Sequence, residues 1–136
     1  MSVEEHLRSH GLRVTSIRKD VLDLLQRSDR ALSQADVERA LPDRADRVTL
    51  FRVLQSFEEA GLAHRVMDVQ GVSHYATCAS SCSAHAHHDM HAHFRCTGCA
   101  GVFCLDEVTM PEVRLPAGFR LMESRLELMG LCSSCS

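Results

Sequence analysis

Two Cys-x-x-Cys pairs stand in the last third of the chain, Cys96-Thr97-Gly98-Cys99 and Cys132-Ser133-Ser134-Cys135. A two-residue gap lets both sulfurs of one pair turn toward a single point. Two such knuckles complete a tetrahedron of thiolates, the donor set of a closed, structural zinc site. The competing chemistry is a redox dithiol, which follows a strand and opens a helix. Neither pair has a helical pattern behind it: Ala100-Gly101 follows the first and only Ser136 the second. Cys96, Cys99, Cys132 and Cys135 are therefore expected to hold zinc.

That assignment leaves a second set of metal-binding side chains. Cys78, His91 and His93 are its centre, with His64, His85, His87, His88, Cys82 and Cys104 as further candidates. His91 and His93 are two apart on an extended segment, which points both rings to one face. Imidazole with a thiolate suits zinc, and sulfur argues against magnesium or manganese. A single loop histidine is ordinarily just solvated; a cluster this dense favours metal. For Cys104 a core position is favoured over a ligand role, because a buried cysteine packs well as a small hydrophobe.

A third group suits nucleic acid. A helix expected to begin Thr49-Leu50-Phe51-Arg52 has the composition of a recognition helix, whose N-terminal residues face base edges in a major groove. Arg52 can reach guanine or phosphate, and Phe51 can touch a thymine methyl. The competing reading puts Phe51 in the core and Arg52 in solvent.

Elements must position these groups. Val3 to Ser9 reads as a short helix stopped by Gly11. Thr15 caps a second helix carrying Ile17, Val21, Leu24 and Leu25 at helical spacing. Ser33 caps a third, with Asp36 three residues on as a capping box, and Pro42 closes it. Thr49 is expected to cap a fourth, Leu50 to Ala60, stopped by Gly61. The period then changes to strands at Leu62 to Asp68 and Val72 to Thr77 around a turn at Val69-Gln70-Gly71. Residues 78–93 shift to Ala, Ser and His and read as a loop. Strands are expected at Val102 to Leu105 and, longest, from Phe119 to Met129, where Leu126 and Leu128 alternate with Arg125 and Glu127. The fold class is α+β: a winged helix-turn-helix over residues 1–77, a hinge and histidine-rich loop over 78–92, and a small, mostly β dimerisation domain with the four-cysteine site over 93–136.

Composition bounds the class. The chain has 136 residues, 45% apolar, no Trp and seven Cys. No apolar run approaches the roughly 20 residues of a membrane span. Met1-Ser2-Val3-Glu4-Glu5 lacks the basic start and apolar stretch of a signal peptide. A cytoplasmic protein is expected, in which cysteines serve as metal ligands or redox thiols rather than disulfides. Net charge is −3, so a nucleic-acid partner requires basic residues gathered on one face and binding that is steeply salt-dependent.

Gly11-Leu12-Arg13-Val14-Thr15 with Arg18, Val48-Thr49-Leu50-Phe51-Arg52-Val53-Leu54 and Glu59-Ala60-Gly61-Leu62 resemble the DNA-binding half of ferric uptake regulator (Fur) family repressors. Phe51 stands where that family usually has tyrosine. The histidine cluster and both knuckles are similar to the family's dimerisation half. Within the family the chain looks like the zinc uptake regulator (Zur) subgroup. That resemblance implies a sensor site of His64, Cys78, His91 and His93, and base or groove contacts from Arg13, Thr49, Phe51 and Arg52. It implies a homodimeric repressor of A/T-rich, palindromic operator DNA, carrying about two zinc ions per subunit, one structural and one regulatory. Iron and peroxide sensors of the family use a histidine just before the third helix, where Arg30-Ala31-Leu32 offers none. The chain departs from the family in three places. Cys104 replaces an acidic ligand, a Pro-broken stretch from Val108 to Gly118 replaces a helix, and the loop 79–90 is longer, so that Cys82, His85, His87, His88 and Cys104 are possible extra ligands.

Other readings remain in view. A zinc deaminase needs a His-x-Glu motif and a proline before its first knuckle cysteine, and the chain has neither. A thiol-based redox sensor would use Cys78, Cys82 or Cys104, a buffering protein would use the histidine loop, and a regulator of the same family could sense nickel, manganese or iron.

Overall fold

The computed structural model describes residues 2–77, 92–105, 108, 111–122 and 124–136. Four helices come first: α1 (Val3–Ser9), α2 (Ser16–Arg27), α3 (Gln34–Ala40) and α4 (Arg47–Glu59). Each begins at a side-chain cap. Ser2, Thr15, Ser33 and Asp46 accept hydrogen bonds from the backbone N–H of Glu5, Arg18, Asp36 and Thr49. At α3 the Asp36 carboxylate also accepts the Ser33 N–H at 2.9 Å, completing the expected capping box.

The start of α4 departs from expectation. Asp46, not Thr49, is the cap, and its Oδ1 accepts the Thr49 N–H at 2.7 Å. Aspartate at this position satisfies an orphan donor and places a negative charge at the positive end of the helix dipole. The helix consequently gains nearly a turn at its front. Gly61 ends it with φ +76, which brings the Leu62 N–H back to Phe57 O at 2.9 Å.

The strands β1 (Leu32–Ser33), β2 (Ala63–Met67) and β3 (Ser73–Thr77) form an antiparallel sheet of order β1-β3-β2. Two residues of β1 escaped the sequence reading because they are indistinguishable from the helix cap they precede. The β2–β3 turn is held by Asp68, whose Oδ1 accepts the Gln70 and Val72 N–H at 2.8 and 3.0 Å. Helices α3 and α4 with this hairpin make a winged helix-turn-helix. Its core is Leu7, Val21, Leu22, Leu25, Val37, Leu50, Leu54 and Phe57, all buried.

The second sheet contains β4 (Ala92–Cys96), β5 (Val102–Leu105) and β6 (Glu127–Gly130), in order β5-β4-β6. β5 is antiparallel to β4 and β6 parallel to it. The long strand expected from Phe119 is much shorter: only Glu127–Gly130 pairs. β6 pairs β4 from His93–Glu127 to Cys96–Gly130, and residues 119–122 are exposed.

The two sheets meet along one seam. Ala31 N–H, in the loop before β1, donates to Val102 O on β5 at 2.8 Å. Ala31, Val66 and Val102 are buried together there, with Ala76 packed against them.

Candidate metal centres and nucleic-acid interface

The first centre is built by the parallel register of β4 and β6. Cys96 lies opposite Gly130, and Thr97 N–H donates to Gly130 O at 2.8 Å, so each strand runs straight into its own knuckle at the same end of the sheet. The sulfurs of Cys96, Cys99, Cys132 and Cys135 all lie within 4.8 Å of one another, with Cys99 and Cys132 3.9 Å apart. Thiolates about 2.3 Å from one tetrahedral zinc sit at comparable separations. Gly98 fits closely here, because a Cβ would come 3.1 Å from Cys135 Sγ and the cluster would have to give by a few tenths of an ångström.

Electrostatics fit the same donor set. The N–H groups of Cys132, Cys99 and Gly98 point at Cys96 Sγ from 3.3–3.4 Å. They pull its thiol down to about 6, the Cys132 contact contributing most. Cys135 is pushed up to about 12 by the sulfurs of Cys132, Cys96 and Cys99 crowded around it. Four sulfurs this close resist joint ionisation unless a cation neutralises them. This is the demand that zinc meets.

The second centre draws on both lobes. His64 on β2, His93 on β4 and Cys104 on β5 bring their ligand atoms within 4.8 Å of one another. His64 Nε2 is 2.9 Å from Cys104 Sγ, and the His64 and His93 ring centroids are 5.1 Å apart. His64 is 3% exposed, and burying an imidazole in this way needs polar partners. Cys104 does not pack as a small hydrophobe, as the sequence reading favoured; it is half-buried and faces the two imidazoles. The reason is register. Counting outward from the knuckle turn, Arg95 pairs with Val102, Phe94 with Phe103 and His93 with Cys104. That count was available from the sequence once the knuckle was taken as the turn of a hairpin. Of the expected sensor set, the structure brings His64 and His93 together, while Cys78 and His91 lie outside the described residues. Cys82, His85, His87 and His88 lie outside them too.

Beside the first centre, Arg30 crosses between lobes. Its guanidinium lies 4.8 Å over the Phe103 ring, and Nη1 is 3.8 Å from Cys99 Sγ.

The recognition helix α4 turns Leu50, Val53, Leu54 and Phe57 into the core. It exposes Arg47, Val48, Phe51, Arg52 and Gln55. Phe51 is therefore a surface residue, 49% exposed, and not core. Thr49 is half-buried behind the Asp46 cap. Arg13 is exposed, and neither Arg13 nor Arg52 takes part in an ion pair among the described residues. Arg47, by contrast, is tied to Glu38 at 3.2 Å. No helix among the described residues is long and apolar enough to cross a membrane.

Residues 9–129 match the family model described as "Ferric uptake regulator family". The ferric uptake regulation protein of Bordetella parapertussis is 32% identical, with 99% of this chain and 97% of the relative covered. Among solved structures, a zinc-bound manganese uptake regulator is similar with TM-score 0.68 and 23% identity over 97% of this chain and 99% of that one. The ferric uptake regulator of Vibrio cholerae gives 0.66 and 22% over 95% and 98%. With a matching family model over most of its length and the helices, wing and thiolate cluster in place, the chain belongs to the ferric uptake regulator family, whose members are metal-responsive transcription regulators and not enzymes.

Proposed function

We propose that this regulator senses zinc and represses transcription as a cytoplasmic homodimer that binds operator DNA when its sensor site is filled. The observation that carries the proposal is the placement of His64, His93 and Cys104 on three strands from two lobes. Donors on both sides of a seam satisfy one ion only at one inter-lobe angle. Cys78, which follows the strand paired with that of His64, and His91, which precedes His93 by two residues, are proposed as further donors. Cys96, Cys99, Cys132 and Cys135 hold a second, structural zinc, giving about two per subunit.

The donor chemistry favours zinc over the iron in the relatives' names. Thiolate is a soft ligand, and divalent affinity rises from manganese through iron toward zinc. A bound zinc ion would supply a small divalent centre able to hold imidazole and thiolate together. The protein's residues do the rest. His64 fixes the wing, while His93 and Cys104 fix the second sheet, so the orientation of α4 is selected from a mobile ensemble. In a twofold dimer that orientation sets the separation of two recognition helices, which must match successive major grooves. Shifting from mostly off to mostly on requires about 5.5 kcal/mol of differential affinity.

Exposed Phe119, Leu121, Met122, Met129 and Leu131 supply an apolar surface for a partner subunit. On DNA, Phe51 and Arg52 face the major groove and Arg13 an A/T-rich minor groove, whose negative potential attracts arginine. Thr49 lies on the same turn but is half-buried, so its contact is to the backbone of a palindromic operator rather than to a base.

Absorption spectroscopy of the cobalt-substituted protein tests the donor sets. A four-sulfur centre and a separate mixed sulfur–nitrogen centre are expected; Cys104→Ser lowers sulfur character at the second alone, and Cys78→Ser with Cys104→Ser abolishes it there. A spectrum with only the four-sulfur centre contradicts the sensor assignment.

A further inference from the structure

We propose that Val48 is a base-specificity residue, forming with Phe51 an apolar pair that recognises two thymine methyl groups. The inference rests on reading α4 as the recognition helix and names a determinant that this reading did not include.

Val48 is 57% exposed and Phe51 49%. They stand three residues apart, so both side chains lie on one face of α4. The opposite face, Leu50, Val53, Leu54 and Phe57, is buried in the core. Two large apolar side chains side by side on the first turns of a recognition helix have poor contacts in water and good ones in a groove lined by methyl groups. The only apolar feature on a base edge in the major groove is the C5 methyl of thymine.

The neighbours support this division of labour. Arg47, the first residue of α4, is committed to Glu38 at 3.2 Å, and its carbonyl accepts from Gln34 Nε2 at 2.9 Å. Those contacts steady the start of the helix, while the Arg47 side chain itself stays 84% exposed. Arg52, outside every ion pair among the described residues, keeps its charge for guanine or phosphate. Thr49, whose N–H is held by the Asp46 cap, is half-buried, which leaves Val48 as the outward apolar residue of the first turn. A rise of 1.5 Å per residue puts the two apolar side chains about 4.5 Å apart along the axis. Successive bases on one strand are about 3.4 Å apart, so the pair spans adjacent or nearly adjacent thymines.

The test uses the full-length, zinc-loaded protein. An operator is first selected from random duplexes. Each thymine of one half-site is then replaced in turn by deoxyuridine, which deletes only the methyl group, and affinity is measured for wild type, Val48→Ala and Phe51→Ala. Wild type should lose about fourfold at each of two neighbouring positions, the value of one buried methyl group. In Val48→Ala the loss at one of them should vanish, and in Phe51→Ala the loss at the other. If Val48→Ala weakens thymine and uracil duplexes equally at every position, or not at all, the proposal is overturned while sequence-specific binding stands. If no sequence is selected, the reading of α4 falls and this proposal falls with it. Val48 is exposed and alanine is the better helix former, so the variant remains folded.

Discussion

His93 and Cys104 face each other across β4 and β5, in a hairpin whose turn is the Cys96–Cys99 knuckle. The four-sulfur cluster and the three-donor centre are therefore coupled through one hairpin register. The knuckle sets the register that pairs His93 with Cys104, and by linkage an ion held at the second centre favours the register that presents the first.

Cys99→Ser should consequently lose both metals, and Cys104→Ser only one. Metal content per subunit, measured after gel filtration, checks this. Binding at the cluster also displaces protons. At pH 7.5 Cys96, near 6, is already a thiolate, while Cys135, near 12, still carries its proton. Zinc loading should thus release protons, and cluster affinity should weaken as pH falls, because protons compete for the same sulfurs. Calorimetry in buffers of different ionisation enthalpy measures the proton count.

The wing turn depends on Asp68. Burial pushes its carboxyl up, but the Val72 N–H, the His74 ring at 2.8 Å and the Gln70 N–H together more than offset this, and the net position is low. A carboxylate held low contributes stability that is complete above its unfolded value, about 3.9, and is lost as pH falls through the folded value. Asp68→Asn should cost about 1–3 kcal/mol at pH 7. The gap from wild type should close as pH drops below about 4. Urea unfolding followed across this range gives the answer.

Arg30 joins the DNA-binding lobe to the knuckle through Cys99 Sγ and the Phe103 ring. Replacing it with alanine leaves every metal ligand in place but loosens the seam. Operator affinity should fall roughly fivefold, at the scale of about 1 kcal/mol for residues that couple sites, with metal content unchanged. Fluorescence anisotropy on labelled operator reads the first quantity and elemental analysis the second.

The hydrophobic core sets a different scale. Phe57 is fully buried between α4 and its neighbours. Phe57→Ala should destabilise the winged-helix half by about 3–5 kcal/mol, seen as an earlier urea midpoint by circular dichroism.

The N-terminal half was legible in the sequence because its signals are local. Thr15, Ser33 and Gly61 act within a turn of where they stand, and apolar spacing fixes the buried faces of α2 and α4. The exception, Thr49 taken for a cap, arose because Asp46 lies just outside the apolar pattern and Thr49 just inside it. The second half was less legible because its order is non-local. β6 is short because its ladder with β4 runs only from His93–Glu127 to Cys96–Gly130, a fact of pairing and not of the alternation in residues 119–126. Cys104 read as a core thiol because a buried cysteine packs well as a small hydrophobe; His93 faces it across one hairpin, but His64 reaches it only from the other sheet.

The central claim is that one ion bridging His64, His93 and Cys104 sets the DNA-binding state. Its most direct test is operator affinity measured against buffered free zinc for wild type, His64→Ala and Cys104→Ser, each verified to retain its structural zinc. Wild type should tighten by at least two orders of magnitude as zinc rises, and both variants should stay weak across the same range. Unchanged zinc-dependent tightening in either variant would contradict the account.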